Sequence, residues 1–273
     1  MNRALRSEIA KLKSMPGMWV VLLLAFPLTA LFVLLAFLEA GSNTVTHQTF
    51  AHVATLNDRR RLLGSGFSTA TFLAPIVGVL CITTEYRHKT ITGTLLLTPQ
   101  RSRVLGAKVI TTAIWCVIMA VISFVAVFAI GLPWNSGMGG SATSVLSQAG
   151  AVVPEILLAT VLLGLFGLGF GTLVKNQIAG VLVTIGGTLI LEGLIIIVVK
   201  VTTHYFINWM PNEATAAFAG VVAKGAGFGG NGGSNSSSIG NLLPWWAGGL
   251  VMLGWGLVPL AIGYFTTFRK DVT

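Results

Sequence analysis

Long apolar runs constrain this chain more than any other feature of its sequence. Six of them approach or exceed the roughly 20 residues with which a helix crosses the hydrocarbon core of a bilayer. They cover residues 18–38, 67–84, 104–130, 152–174, 178–199 and 245–266. Only 9% of the 273 residues are charged, against roughly 25% in a soluble domain. The sequence therefore predicts an all-α membrane protein, in which residues 1–273 form one domain with six transmembrane helices.

The basic residues flank these runs and predict how the chain is oriented. The chain carries 17 Lys and Arg against 8 Asp and Glu, a formal net charge of +9. Cytosolic loops of membrane proteins are enriched in Lys and Arg, so both termini are predicted to be cytosolic, with Arg59–Arg61 as the main basic cluster on the other side. The scatter argues against nucleic acid, which is bound by one continuous basic face. We expect a multi-pass protein of the inner or plasma membrane.

The first 15 residues have the pattern of an interfacial helix. Apolar and charged side chains recur there at helical spacing, which places them on different faces. The apolar face carries Leu5, Ile9 and Leu12, and the other faces carry Arg3, Arg6, Glu8, Lys11 and Lys13. Such a helix lies in the interface with its basic side towards anionic lipid headgroups. A simple positively charged anchor before the first span would give the same pattern.

The segment between the second and third runs has a helical pattern of its own. Thr84 is a residue type that caps helices, and Glu85 would follow in the first turn, where the helix dipole favours a negative charge. The apolar residues of this helix fall on one face: Ile91, Leu95 and Leu96. Pro99 after Thr98 predicts a fresh helix start, since proline at the first position loses no hydrogen bond. We expect a short amphipathic helix within 84–99 on the cytosolic surface, at which another protein docks.

Motifs for catalysis or metal binding are absent from the sequence. The pair Lys89-Thr90 follows His88, whereas a phosphate-binding P-loop requires Gly before its Lys. Cys81 and Cys116 lie inside predicted spans, and the histidines have no metal-ligand spacing. We therefore predict no enzymatic activity, no cofactor and no metal for this chain.

Two intramembrane features are candidates for function. Glu192 lies near the middle of run 178–199, where an ionisable group is costly and often contacts a transported ion or substrate. A protonated Glu192 packed between helices is the alternative. Gly167 and Gly171 form a small-xxx-small step that lets helix backbones approach closely, either within the chain or between two copies.

Residues 200–244 form the most irregular stretch between runs. Pro211, Asn212 and Glu213 predict the start of a helix over about 212–223, because Asn caps helices and Glu suits the first turn. About 12 residues reach roughly 18 Å, too short to cross the bilayer. This helix either dips into the outer leaflet or lies flat on the surface. The Gly-rich stretch 225–240 predicts a flexible linker.

Residues 84–108 and the arrangement of the spans together resemble a known family. They are similar to the six-helix membrane subunits of type-2 ABC transporters, in which the segment after the second span forms a coupling helix that binds a separate ATPase. The resemblance assigns ATPase coupling to Glu85, Arg87, Lys89, Thr90, Ile91, Gly93, Thr94, Leu95, Leu96, Thr98, Pro99 and Arg101. The basic N-terminus is similar to the connecting helix of that family, and the residues after Met210 to its short external helices.

The resemblance implies a transporter driven by a partner. Two ABC ATPase subunits, which bind ATP and Mg²⁺, would pair with two permease chains, either two copies of this chain or this chain and a paralogue. The direction implied is export. Spans rich in Leu, Val, Ile and Phe suit an amphipathic or hydrophobic cargo such as a drug or antibiotic. The alternative from another class is an ion-gradient-driven secondary transporter or channel that uses Glu192.

Overall fold

A computed structural model describes residues 2–42, 56–88, 101–174, 176–188, 209–218 and 243–268, and within these ranges the regular secondary structure is entirely helical. The chain begins with α1 (Asn2–Ser14), α2 (Pro16–Ser42) and α3 (Leu56–Arg87). The later helices are α4 (Arg101–Ala126), α5 (Leu132–Gly137), α6 (Ala142–Leu173), α7 (Gln177–Gly186), α8 (Pro211–Phe218) and α9 (Trp245–Gly263). Short π-helical segments, Val127–Gly131 and Tyr264–Phe268, follow α4 and α9.

Five helical segments in the described ranges are long and apolar enough to cross a membrane. They are Pro16–Leu38, Asp58–Arg87, Ser102–Gly137, Ala142–Leu173 and Trp245–Thr266, and they coincide with five of the six predicted runs. The remaining run, 178–199, begins as α7, whose 10 residues are too short to cross alone. Its residues from 189 onwards, Glu192 among them, lie outside the described ones. The described part of the chain therefore agrees with an all-α membrane protein.

α3 begins well before the apolar run that predicts it. That run starts at residue 67, but the helix starts at Leu56 and carries Asp58 in its first turn, where the helix dipole favours an acid. Leu62 and Leu63 are completely buried, so packing against neighbouring helices extends α3 beyond its most hydrophobic part. The cluster Arg59–Arg61 therefore belongs to the first turns of α3, and not to the connection before it.

α3 lies at the centre of the bundle and packs most extensively against α6. A Cβ atom at Gly167 would collide with the carbonyl oxygen of Pro75. One at Gly78 would collide with the carbonyl oxygen of Gly164, so the two backbones touch. Gly171 faces α3 as well. Gly167 and Gly171 therefore serve packing within the chain, one of the two uses that their spacing predicts.

Successive spans alternate in direction. We call the end of the bundle where α1 packs against the starts of α2 and α4 the α1 end. Arg87, in the last turn of α3, donates to Gln177 at the start of α7 at 3.2 Å, so these two helix ends lie there too. Near the last turn of α6, the Thr172 hydroxyl donates to the carbonyl oxygen of Pro259 in α9 at 3.4 Å. The connections that carry most of the predicted cytosolic charge thus share one end.

The short helix α8 runs alongside α9. The indole N–H of Trp255 donates to the carbonyl oxygen of Trp209 at 2.9 Å, and the rings of Phe218 and Trp245 lie 6.5 Å apart. Trp255 is about 15 Å from the start of α9 at 1.5 Å per residue, so α8 runs back along α9 towards its first turn. This geometry favours a helix that dips beside the spans over one that lies flat. The rest of the helix predicted over about 212–223, after Phe218, lies outside the described residues.

Candidate functional site

Four charged side chains meet at the α1 end and form a closed charge ring: Glu8, Lys11, Glu85 and Lys108. Lys108 Nζ lies 2.8 Å from Glu8 Oε2 and 3.0 Å from Glu85 Oε1. Lys11 Nζ lies 2.8 Å from Glu8 Oε1 and 2.9 Å from Glu85 Oε1. Each ammonium therefore contacts both carboxylates, and the four formal charges of the ring cancel.

The charge ring fastens three helices to one another. Glu8 and Lys11 lie one turn apart on α1, Glu85 lies in the last turn of α3, and Lys108 lies near the start of α4. The side chain of Lys108 is 0% exposed, those of Glu85 and Glu8 are 2% and 3% exposed, and that of Lys11 is 31% exposed. Three of the four charges are thus removed from water, and only Lys11 reaches the surface.

The packing of α1 explains why an acid is buried there. Leu5, Glu8 and Leu12 are spaced at i, i+3 and i+7, which places them on one face of the helix. Leu12 is 1% exposed and belongs to the hydrophobic core, so this face points inward and carries Glu8 with it. Lys108 Nζ meets Glu8 from α4 and also lies 3.4 Å from the carbonyl oxygen of Cys81 on α3.

Mutual attraction keeps the α1 members of the ring charged. Burial alone would raise the pKa of the Glu8 carboxyl, but the charge of Lys108 and hydrogen bonds from Lys108 and Lys11 outweigh it, so the pKa lies below its ordinary value. Burial alone would lower the pKa of the Lys11 ammonium, but hydrogen bonds to Glu8 and Glu85 outweigh it and raise this pKa. Both groups are therefore ionised at neutral pH.

The end of α3 differs from the predicted start of a coupling helix. Because α3 continues to Arg87, Thr84 lies inside it, and its hydroxyl donates to the carbonyl oxygen of Leu80 at 2.6 Å. The prediction that Thr84 caps a new helix was therefore wrong. Glu85 lies in a last turn, where the helix dipole disfavours an acid, and the ammonium groups of Lys11 and Lys108 compensate.

Only the two borders of the predicted coupling segment are described. At one border Arg87 is exposed and bonded to Gln177, and at the other Arg101 is the first residue of α4. The predicted residues between these borders lie outside the described ones: Lys89, Thr90, Ile91, Gly93, Thr94, Leu95, Leu96, Thr98 and Pro99. Glu85 precedes and Lys108 follows these residues, and their two side chains contact each other.

α1 occupies the stretch in which an interfacial helix is predicted. Of its predicted apolar face, Leu12 is buried, while Leu5 and Ile9 are half-buried. Arg6 and Lys13 are exposed, as expected for a basic outer side, but Lys11 turns inward to the charge ring. The backbone of Arg3 lies in α1, and its side chain is outside the described part.

Comparison with known families decides what kind of chain this is. The profile of the ABC-2 family transporter proteins matches residues 4–191, well over half of the chain, and this range includes all four residues of the charge ring. The chain belongs to the ABC-2 transporter family. A comparison with curated proteins finds no match for this ABC-2 permease. Membership makes it a membrane component of an ABC transporter, a class that works with an ABC ATPase subunit.

Sequence reasoning assigned no role to two members of the permease's charge ring, Glu8 and Lys108. Lys108 is the only charged residue of run 104–130, and Glu8 is the only acid in α1. Both were expected at the same membrane face. A lone base in a span and a lone acid in an interfacial helix could therefore have been paired from the sequence by asking what neutralises each of them.

The described part of the permease has no group of three or more His, Cys, Asp and Glu that could hold a metal ion. Cys81 and Cys116 are buried and free. In the charge ring, Glu8 and Glu85 direct oxygen atoms at ammonium groups, which is the arrangement of a structural ion-pair network. The ring can thus hold helices in position, and this is the role for which its geometry is suited.

Proposed function

We propose that this ABC-2 permease is the membrane subunit of an ATP-driven exporter and that its docking site for a separate ATPase is the part of the predicted segment 84–99 from Arg87 onwards. The charge ring is the observation that supports this best. It joins the end of α3 to the start of α4, on either side of the docking segment, and both of them to α1. A displacement of the segment is therefore transmitted to three helices at once.

The docking segment offers apolar and basic contacts. Ile91, Leu95 and Leu96 fill a groove of the ATPase, while Arg87 and Lys89 meet acidic residues at its rim. Arg87 is exposed at the α1 end, where such a partner approaches. This division follows the usual anatomy of protein interfaces, with a hydrophobic centre and a polar rim.

ATP and Mg²⁺ bind to the ATPase, and the permease converts the closure of the ATPase into a change between two arrangements of its helices. A ligand shifts such an equilibrium only through different affinities for the two states. The docking segment carries that difference, because the ATP-bound partner pushes on it and the charge ring prevents α1, α3 and α4 from responding separately. The functional unit contains two ATPase subunits and two permease chains, either identical or paralogous.

The cargo that we propose is an amphipathic or hydrophobic compound, such as a drug or antibiotic, which is moved out of the cell. Apart from the charge ring, the buried side chains of the described spans are mainly apolar, with Ser and Thr hydroxyls among them. One example is the hydrogen bond between the hydroxyls of Thr29 and Thr69 at 2.8 Å. Such surroundings disfavour an ionic cargo, because a buried charge without a partner is costly.

Copurification tests the proposal most directly. The chain is isolated from its native membrane in mild detergent, and the proteins that accompany it are identified by mass spectrometry. We expect a P-loop ATPase, and we expect it to be lost when Ile91 and Leu95 are both changed to Asp. Leu146→Asp is the control, because Leu146 is 50% exposed near the start of α6, before the apolar run 152–174 and at the end of the bundle away from the docking segment.

Other outcomes would contradict parts of the proposal. A chain that purifies without an ATPase and takes up solute in liposomes along an ion gradient is a secondary transporter, and Glu192→Gln is then the variant to examine. Retention of the ATPase by the Ile91→Asp, Leu95→Asp variant would place the docking site elsewhere. If overexpression protects cells against no compound in a panel of hydrophobic drugs, the cargo assignment is wrong.

A further inference from the structure

An apolar groove lies between α2 and α4, apart from the docking segment. Its volume is about 310 Å³, and its lining is formed by apolar and aromatic side chains that include Trp19, Leu23, Phe26, Trp115, Ile118 and Ile122. The groove is about twice as large as a cavity of roughly 150 Å³ that holds benzene. It therefore has room for several methylene groups of one extended chain.

The groove starts close to the α1 end and runs towards the middle of the bundle. Trp19 lies in the first turn of α2, and Phe26 follows about 10 Å further along at 1.5 Å per residue. Trp115 and Ile122 lie at the same spacing on α4. The amphipathic helix α1 marks the level of the membrane interface at this end, so the long axis of the groove follows the direction of an acyl chain in the adjacent leaflet.

Two tryptophans form the rim of the groove near α1, and the backbone of Lys13 contacts one of them. The indole N–H of Trp19 donates to the carbonyl oxygen of Lys13 at 2.8 Å. The rings of Trp19 and Trp115 meet edge to face, with their centroids 5.9 Å apart. The rim is thus held in place by contacts between α1, α2 and α4, and amphipathic Trp side chains are at home at the headgroup level.

Because the charge ring takes up the acid of α1, the exposed side of this helix beside the rim is positive. Glu8, the only acid of α1, is buried in the ring and neutralised there by Lys11 and Lys108. Arg6 and Lys13 are exposed on the outer side of α1, which carries no second acid. The exposed side of α1, whose end contacts the rim, is therefore basic, which complements an anionic headgroup.

We propose that the groove binds one acyl chain of an anionic phospholipid and that Lys13 contacts its phosphate. The apolar lining accepts the chain of any lipid of suitable length, whereas Lys13 favours a headgroup with net negative charge. The lipid packs against α2 and α4 and meets the end of α1, so it stabilises the contact between these helices. This role is independent of which protein docks at residues 84–99.

Native mass spectrometry of the full-length, delipidated permease in mild detergent tests this site. Phosphatidylglycerol and phosphatidylcholine with identical acyl chains are titrated separately. We expect tighter binding of phosphatidylglycerol, and a loss of about fivefold in its affinity for Lys13→Gln, the factor expected for one basic residue near an anionic surface. The affinity for phosphatidylcholine should fall less in that variant, because its choline group already neutralises the phosphate. Leu23→Trp, which fills the groove from a 73% exposed position, should weaken both lipids.

Two matched variants control for charge and hydrophobicity. Arg60→Gln removes an exposed basic residue at the start of α3, at the opposite end of the bundle, and Leu250→Trp enlarges a 60% exposed residue of α9. Neither should alter lipid affinity. Equal binding of both lipids by the unaltered chain, or a phosphatidylglycerol affinity that Lys13→Gln and Leu23→Trp leave unchanged, would overturn the proposal.

Fluorescence locates the bound chain independently. A phosphatidylglycerol with brominated acyl chains quenches nearby tryptophans, and we expect the quenched signal to fall when Trp19 and Trp115 are both changed to Phe. Leu23→Cys tests whether another copy occupies the groove. Rapid formation of a disulfide between two Leu23→Cys chains in the membrane would show that a protein interface covers the groove, and would refute the lipid site.

Discussion

Removing Lys108 should destabilise the permease more than removing any exposed charge. In Lys108→Met, Glu8 and Glu85 remain buried and share only Lys11, whose Nζ lies 2.8 and 2.9 Å from them. Breaking a buried ion pair by deleting one partner costs about 3–5 kcal/mol, because the other charge is left uncompensated. Lys108 is 0% exposed, so water cannot take its place, and we expect a loss in this range. Equilibrium unfolding in mixed micelles of dodecyl maltoside and dodecyl sulfate, followed by circular dichroism, measures it.

The double variant Glu85→Gln, Lys108→Met separates charge balance from packing. It leaves the pair Glu8 and Lys11 neutral, so it should be no less stable than Lys108→Met alone. The cycle with both single variants should then give a coupling energy of about 2–3 kcal/mol, against about 0.2–1 kcal/mol for an exposed pair. Arg87→Met is the control and should stay within about 0.5 kcal/mol of the unaltered chain. A cost below about 1 kcal/mol for Lys108→Met, or additive single losses, would refute the reasoning.

Three further outcomes follow from the described packing and charges. Gly78→Ala should lower stability by about 1–3 kcal/mol because its Cβ meets the backbone of α6, whereas Gly106→Ala, with open space around it, should be tolerated in the same unfolding assay. Since the folded pKa of Glu8 is depressed, its contribution is complete above its ordinary pKa of 4.5 and is lost as the pH falls through the folded value. Glu8→Gln should therefore flatten the acid side of a plot of unfolding midpoint against pH, and an unchanged profile would contradict this. Cys81 and Cys116 are buried and should react with a maleimide only after unfolding, so fast labelling of the native protein would argue against the packing around them.

The spans were predictable because their signal is local. About 20 apolar residues must form a helix that satisfies its own backbone in lipid, whatever surrounds it. The start of α3 was not predictable, since it depends on the packing of residues such as Leu62 and Leu63 against neighbours that the sequence does not reveal. Thr84 shows the limit of local chemistry, because the same hydroxyl can cap a helix or bond to the carbonyl four residues before it.

The geometry of the charge ring was not predictable from the sequence. Composition and spacing identified the segment after the second span, but the charge ring depends on residues 100 positions apart, Glu8 and Lys108. Such a contact follows from how α1 sits against α4, and a single sequence contains no record of that distance. A search for the partner of each isolated intramembrane charge would have reached the right residues without their geometry.

The charge ring also bears on how the chain is made. Its members are synthesised in the order Glu8, Lys11, Glu85 and Lys108, so the first two can neutralise each other one turn apart before any span is complete. Glu85 then reaches the membrane with an excess of negative charge beside it, and Lys108 arrives last on α4 to balance it. The charges of the ring can therefore balance only once α4 has been made, because Lys108 lies on it. A chain that ends before α4 keeps a single ammonium, that of Lys11, for the two carboxylates of Glu8 and Glu85.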